Sequence, residues 1–136
     1  MIASRDISDL EPVVAEKCRA FVAKCKEADI DVIITSTFRD YESQDALYAQ
    51  GRTKPGGVVT KAKGGYSYHN FKLAFDFAPV VNGKIDWDDK ATFTKCGRIA
   101  ESLGLEWGGS WKFTDMPHCQ FTDGQTLEQL RNKHGT

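Results

Sequence analysis

Three histidines and a scatter of carboxylates carry most of the chemistry open to this 136-residue chain. His69 stands in GGYSYHNFKLAFDF, and Asp76 follows it between alanines and phenylalanines. A carboxylate in so apolar a run is costly unless a charge, hydrogen-bond donors or a metal ion receives it. His and Asp together suit a zinc site, in which three protein ligands leave a fourth position for water. Fully extended, the stretch between them would span roughly 23 Å, so the chain must bend, and Asn70 to Lys72 can form that bend.

A third ligand is then required. His134 lies in the polar stretch NKHGT and reads as a solvated residue. His118 lies in TDMPHCQF, where Pro117 holds Met116 extended and breaks any helical face shared by Asp115 and His118. Asp115 therefore belongs to a loop feeding a strand, in which His118 and Gln120 share one face and Cys119 takes the other. On that ground Cys119 reads as core, not as ligand or nucleophile. Hydrolysis at a metal also needs a base to take a proton from water and a cation for the developing oxyanion. Asp115 is the candidate base, with a simple turn residue as its rival reading. Arg39, at the end of an apolar strand, is the candidate cation, with a surface ion pair as its rival.

The elements that must position these residues alternate along the chain. Leu10, Val14, Cys18, Phe21 and Cys25 recur at threes and fours, which predicts an amphipathic helix over 9–28. DVIITSTF has the β-branched density of a strand that ends at Arg39. Asp40 is placed to cap a short helix, YESQDALYAQ, closed by Gly51. Residues 52–67, rich in Gly and Lys and without periodicity, form a loop long enough to take part in binding. Asn82-Gly83 signals a hairpin between strands 74–80 and 84–87. Another helix follows around Phe93 to Leu103, then short strands in GLEWGGSW and PHCQF, then a terminal helix in TLEQLRNKH. The pattern predicts an α+β class, helices packed on a small, mainly antiparallel sheet.

Composition narrows the function. At this length one domain over 1–136 is expected. Eighteen basic against nineteen acidic residues leave no positive field for a phosphate backbone, which argues against nucleic acid as a partner. No stretch has the roughly 18–20 apolar residues of a membrane span, and the first residues lack the pattern of a secretory signal. The four cysteines show no CxxC spacing and read as reduced core residues.

SYHNFKLAFD, residues 67–76, resembles the S-x-H-x-x-G-x-A-x-D signature of zinc peptidases that act on bacterial cell walls. These are the D-alanyl-D-alanine carboxypeptidases and dipeptidases of the vancomycin-resistance type and the phage L-alanyl-D-glutamate endolysins. TSTFRDYESQ resembles their T-S-G-Y-R-S-x-x-x-Q, and DMPHCQF their acidic-x-x-His motif. LYAQGRT and WGGSWKFTDMPH are most similar to the phage branch. The likeness runs from about Ile33 to Phe121, with the three motifs in family order.

The resemblance implies a single catalytic zinc ion on His69, Asp76 and His118, with Asp115 as general base. It implies Arg39 as the arginine that polarises the scissile carbonyl, and Ser67 and Gln44 as substrate-contacting positions. It implies the small fold shared with hedgehog-type domains, a peptidoglycan stem peptide as partner, and a monomer. Endolysins accumulate in the host cytoplasm and reach the wall through a separate holin; a plan without a wall-binding domain points to a Gram-negative host. Two rivals are a D-alanyl-D-alanine carboxypeptidase and a non-catalytic zinc domain, the latter disfavoured by Asp115 and Arg39 together. The chain also departs from the pattern. Lys72 stands where the signature has glycine, which either removes a positive φ from the bend or adds a cation near the site. Thr37 replaces the glycine of the first motif, and the base is Asp where the vancomycin-resistance enzymes have Glu.

Overall fold

The structure, a computed structural model, describes residues 1–134. Pro12 opens the first helix, α1 (Pro12–Glu27), where its missing N–H has no intrahelical partner to lose. Val14, Cys18, Phe21 and Cys25 make its buried stripe. This helix begins later than its periodicity predicts, because Ile7–Asp9 form a 3-10 turn capped by Asp6. Next come β1 (Asp31–Ser36) and α2 (Tyr41–Ala49), the latter capped by Asp40, whose carboxylate accepts from the Ser43 amide at 2.8 Å. β1 stops short of Phe38 because the backbone of Thr37 and Phe38 pairs with Ser4, at 2.8 Å in both bonds.

After the 52–67 loop, a 3-10 turn at Tyr68–Phe71 leads into β2 (Ala74–Val81). Asn82 and Gly83, both with positive φ, turn the chain into β3 (Lys84–Ile85). β3 is shorter than predicted, since the Asp86 carboxylate accepts from the Asp88 amide and starts a turn. α3 (Lys90–Ser102), β4 (Glu106–Trp107), β5 (His118–Gln120) and α4 (Leu127–Lys133) complete the described chain.

The sheet is antiparallel throughout, in the order β1-β2-β5-β4, with β3 also on β2. β2 is thus an interior strand, and Asp76 does not lie on an exposed edge. Alternation sends Phe75 and Phe77 of β2 to one side. There Phe21 of α1 meets the ring of Phe77 edge-on at 4.9 Å, and Phe93 of α3 lies 5.5 Å from Phe77. Burying each such ring contributes about 1.5–3 kcal/mol, so this face is what holds helices to sheet. Cys18, Cys25, Cys96 and Cys119 are reduced and fully buried there. Burial pushes the Cys18 thiol up to about 12, and the Cys119 thiol also rises, as expected of inert core thiols. Among the described residues no helix is long and apolar enough to cross a membrane. The observed architecture is the predicted α+β class.

Candidate active site

The opposite face of the same strands carries the chemistry. Register pairs Asp76 of β2 directly with His118 of β5, and Ser36 of β1 with Asp76 on the other side, across a bulge at Thr35. His69 arrives from the 3-10 turn. Ser67 caps that turn, its hydroxyl accepting from the His69 amide at 3.2 Å, and Asn70 completes a capping box. Asn70 also donates to the Arg39 carbonyl at 2.9 Å, which ties the turn to the end of β1. The bend then closes on Lys72, which adopts the left-handed conformation at φ 65° and ψ 27°. The positive φ of the signature is therefore kept without glycine, and the ammonium turns away to sit 5.1 Å from the Phe38 ring.

His69 Nε2 and His118 Nδ1 each lie 3.2 Å from the same Asp76 oxygen, Oδ1. The potential ligand atoms of the three residues all fall within 4.8 Å of one another. The far nitrogens are engaged: His69 Nδ1 donates to the Thr37 carbonyl at 2.8 Å, and His118 Nε2 to Gln120 Oε1 at 2.8 Å. With one N–H of each ring used this way, neutral histidines turn lone pairs toward a carboxylate. Three converging acceptors need a cation among them, and a divalent metal ion meets that need with the donor set zinc favours. Burial pushes the His118 imidazole down, yet Asp76 beside it outweighs this and raises its affinity for a proton. Burial likewise pushes the Asp76 carboxyl up, but positive charge beside it, which His118 and His69 supply when protonated, overcomes this and holds the group well below the usual carboxylate range.

Around this triad opens a cleft of about 520 Å³. Arg39 Nη2 stands 3.9 Å from Asp76 Oδ2, and Asp115 lines the cleft from the loop before β5. Asp115 is open to solvent at the mouth of the cleft, yet partial desolvation by the surrounding walls pushes its carboxyl above its ordinary value, which suits a group that must hold a proton for part of a reaction. Asp115 is brought in close because residue 108 is glycine: a Cβ there would lie 2.2 Å from the Asp115 carbonyl oxygen. The neighbouring Trp107 anchors the same loop, its indole donating to the Met116 carbonyl at 2.7 Å.

All seven residues singled out in the sequence, Arg39, Gln44, Ser67, His69, Asp76, Asp115 and His118, line this one cleft. His134 does not; it caps α4, its Nδ1 donating to the Leu130 carbonyl at 2.8 Å. Gln44 is buried at 1% exposure with both ends of its amide engaged, Oε1 by Arg39 Nη1 and Nε2 by the Ala62 carbonyl, each at 2.7 Å. Sequence reasoning missed the carbonyl of Thr37, and it left Gln120 without a role although the two-residue period already put it beside His118.

A family profile described as D-alanyl-D-alanine carboxypeptidase matches residues 60–121. The chain is 46% identical over 123 residues to the peptidoglycan L-alanyl-D-glutamate endopeptidase CwlK of Bacillus subtilis, covering 83% of this chain and 74% of that protein. It is 36% identical over 97 residues to the L-alanyl-D-glutamate peptidase of Listeria phage A118, covering 68% of this chain but only 31% of that protein. In fold it is similar to a vancomycin-resistance D,D-pentapeptidase solved in complex with Zn(II), at TM-score 0.63 and 11% identity, over 98% of this chain and 84% of that one. By its identity and coverage with the Bacillus protein, the chain belongs to the same family of peptidoglycan peptidases.

Proposed function

We propose that the protein is a zinc peptidase that hydrolyses the peptide stem of bacterial peptidoglycan at the L-alanyl-D-glutamate bond. The observation that carries the reading is the convergence of two histidines and one aspartate, with a second carboxylate and a guanidinium, on one cleft. The sequence relatives named for that bond support its choice over others. His69, Asp76 and His118 would hold zinc, which when bound acidifies water and polarises a carbonyl.

The remaining steps belong to the chain's own groups. Asp115 takes the proton of the attacking water and returns it to the leaving amine. Arg39 faces the oxygen on which negative charge develops; Gln44 and Ser36 hold the guanidinium in place, at 2.7 and 3.0 Å. Ser67, which lines the cleft, contacts the stem peptide, and Gln44 serves it through Arg39. A monomer is the state proposed, and an endolysin released to the wall through a holin is the biological setting proposed; relatives from a bacterium and from a phage are compatible with it.

Mass spectrometry of fragments released from purified peptidoglycan tests this reading. New termini at L-Ala and D-Glu are expected with intact protein, lost on zinc chelation and recovered when zinc is restored. Free D-Ala instead would select the D-alanyl-D-alanine carboxypeptidase, the activity after which the family profile is described. No release under any condition would leave a non-catalytic zinc domain.

A further inference from the structure

The two histidines of the triad are held by different means. His69 gives its Nδ1 proton to a backbone carbonyl, that of Thr37, which can only accept and which no side-chain substitution removes. His118 gives its Nε2 proton to a side-chain amide, that of Gln120, at 2.8 Å. An amide has an accepting end and a donating end, and nothing in His118 alone decides which end it meets. Gln120 is 8% exposed, and register places it opposite Glu106 of β4 as it places Asp76 opposite His118. Glu106 Oε2 accepts from Gln120 Nε2 at 2.8 Å.

We propose that Glu106, acting through Gln120, selects the nitrogen with which His118 binds the metal. An ionised carboxylate only accepts, so it draws the amide NH2 toward β4 and turns Oε1 toward His118. An acceptor at that point requires the proton on Nε2, which leaves the Nδ1 lone pair facing Asp76 and the centre of the triad. With the amide reversed, its NH2 would face Nε2, the ring proton would move to Nδ1, and that proton would occupy the ligand position. Gln120 and Glu106 are thus positioning residues, and the rule that metal-bound histidines are oriented by their far nitrogen is met here through a two-residue relay.

The inference rests on the reading of the triad as a zinc site, and the test separates the two. Zinc affinity is measured by competition with a chromophoric chelator, alongside the thermal melt of each metal-free variant. Gln120→Leu is expected to weaken zinc binding by roughly 10–100-fold, and Glu106→Leu by a smaller factor within that range. The exchanged pair Q120E/E106Q should return to within about threefold of wild type, because the carboxylate at position 120 accepts from His118 while the amide at position 106 donates to it. A merely structural role predicts no such recovery. In zinc-loaded protein with 15N-labelled histidine, two-bond correlation spectra should find His118 protonated at Nε2 and bound through Nδ1.

Wild-type zinc affinity in Gln120→Leu, or zinc on His118 Nε2, overturns the relay alone. Failure of the wild-type protein to bind zinc removes the triad reading and the relay with it. Should Gln120→Leu not fold, the exchanged pair and the wild-type spectrum still decide.

Discussion

Asp76 and His118 face each other across two interior strands, whereas the rim of the cleft, residues 59–62 and 111–115, hangs on loops joined to the scaffold at a few points. The strand pair is held by the ladder and by the phenylalanines behind it, so its two ligands move only if the sheet moves. On the rim, one amide from Gln44 reaches the Ala62 carbonyl, and Gly108 allows the Asp115 loop to approach. Val59 on one wall and Trp111 on the other are partly open to solvent, at 55% and 37%. The difference teaches how labour would be divided under the proposed function: two of the three metal ligands would sit on the sheet, while proton transfer and substrate fit would be tuned from loops.

Four substitutions break or sharpen that contrast. Asp76→Ala has the largest effect, since Asp76 Oδ1 is the atom both histidines approach. It should abolish stoichiometric zinc binding and reduce peptide release to background, read by metal analysis together with fragment release. Asp115→Ala should keep a full complement of zinc and lower kcat by about 10²–10⁴-fold, the usual worth of a general acid–base. Loss of zinc in that variant would merge the two regions that the comparison keeps apart.

Gln44→Leu acts between them. It removes one hydrogen bond from Arg39 and one from the loop, and should cost roughly 10-fold in kcat/KM, about one charge-assisted hydrogen bond, with zinc affinity unchanged. Isothermal zinc titration and steady-state kinetics on a synthetic stem peptide decide it. The smallest effect is a gain. Lys72→Gly relieves a left-handed residue and should stabilise the fold by about 1 kcal/mol, a rise of roughly 3–5 °C in Tm, without altering kcat. An unchanged or lower melting temperature would mean that the Lys72–Phe38 contact outweighs the backbone strain.

Much of the site was legible because its signals are local. An aspartate among alternating phenylalanines and alanines, a proline before His118, a capping aspartate before α2 and Asn-Gly in a hairpin each act within a few residues. Lys72 was not legible, because a lysine in a left-handed bend is tolerated only where the turn around His69 and the strand beyond it leave no alternative. The role of Gln44 was hidden for a related reason. Its partners, Arg39 and Ala62, come together only when the 52–67 loop folds back over α2.

The sequence by itself determined the class of fold, the residue types that could hold a metal ion, and the order in which they appear, since hydrophobic period and turn chemistry are properties of short segments. The tertiary structure alone decided the pairing of Asp76 with His118, the nitrogen each histidine turns inward, and the amide link from Arg39 to the loop. Those depend on strand register and on contacts between segments distant in sequence, which no local pattern encodes.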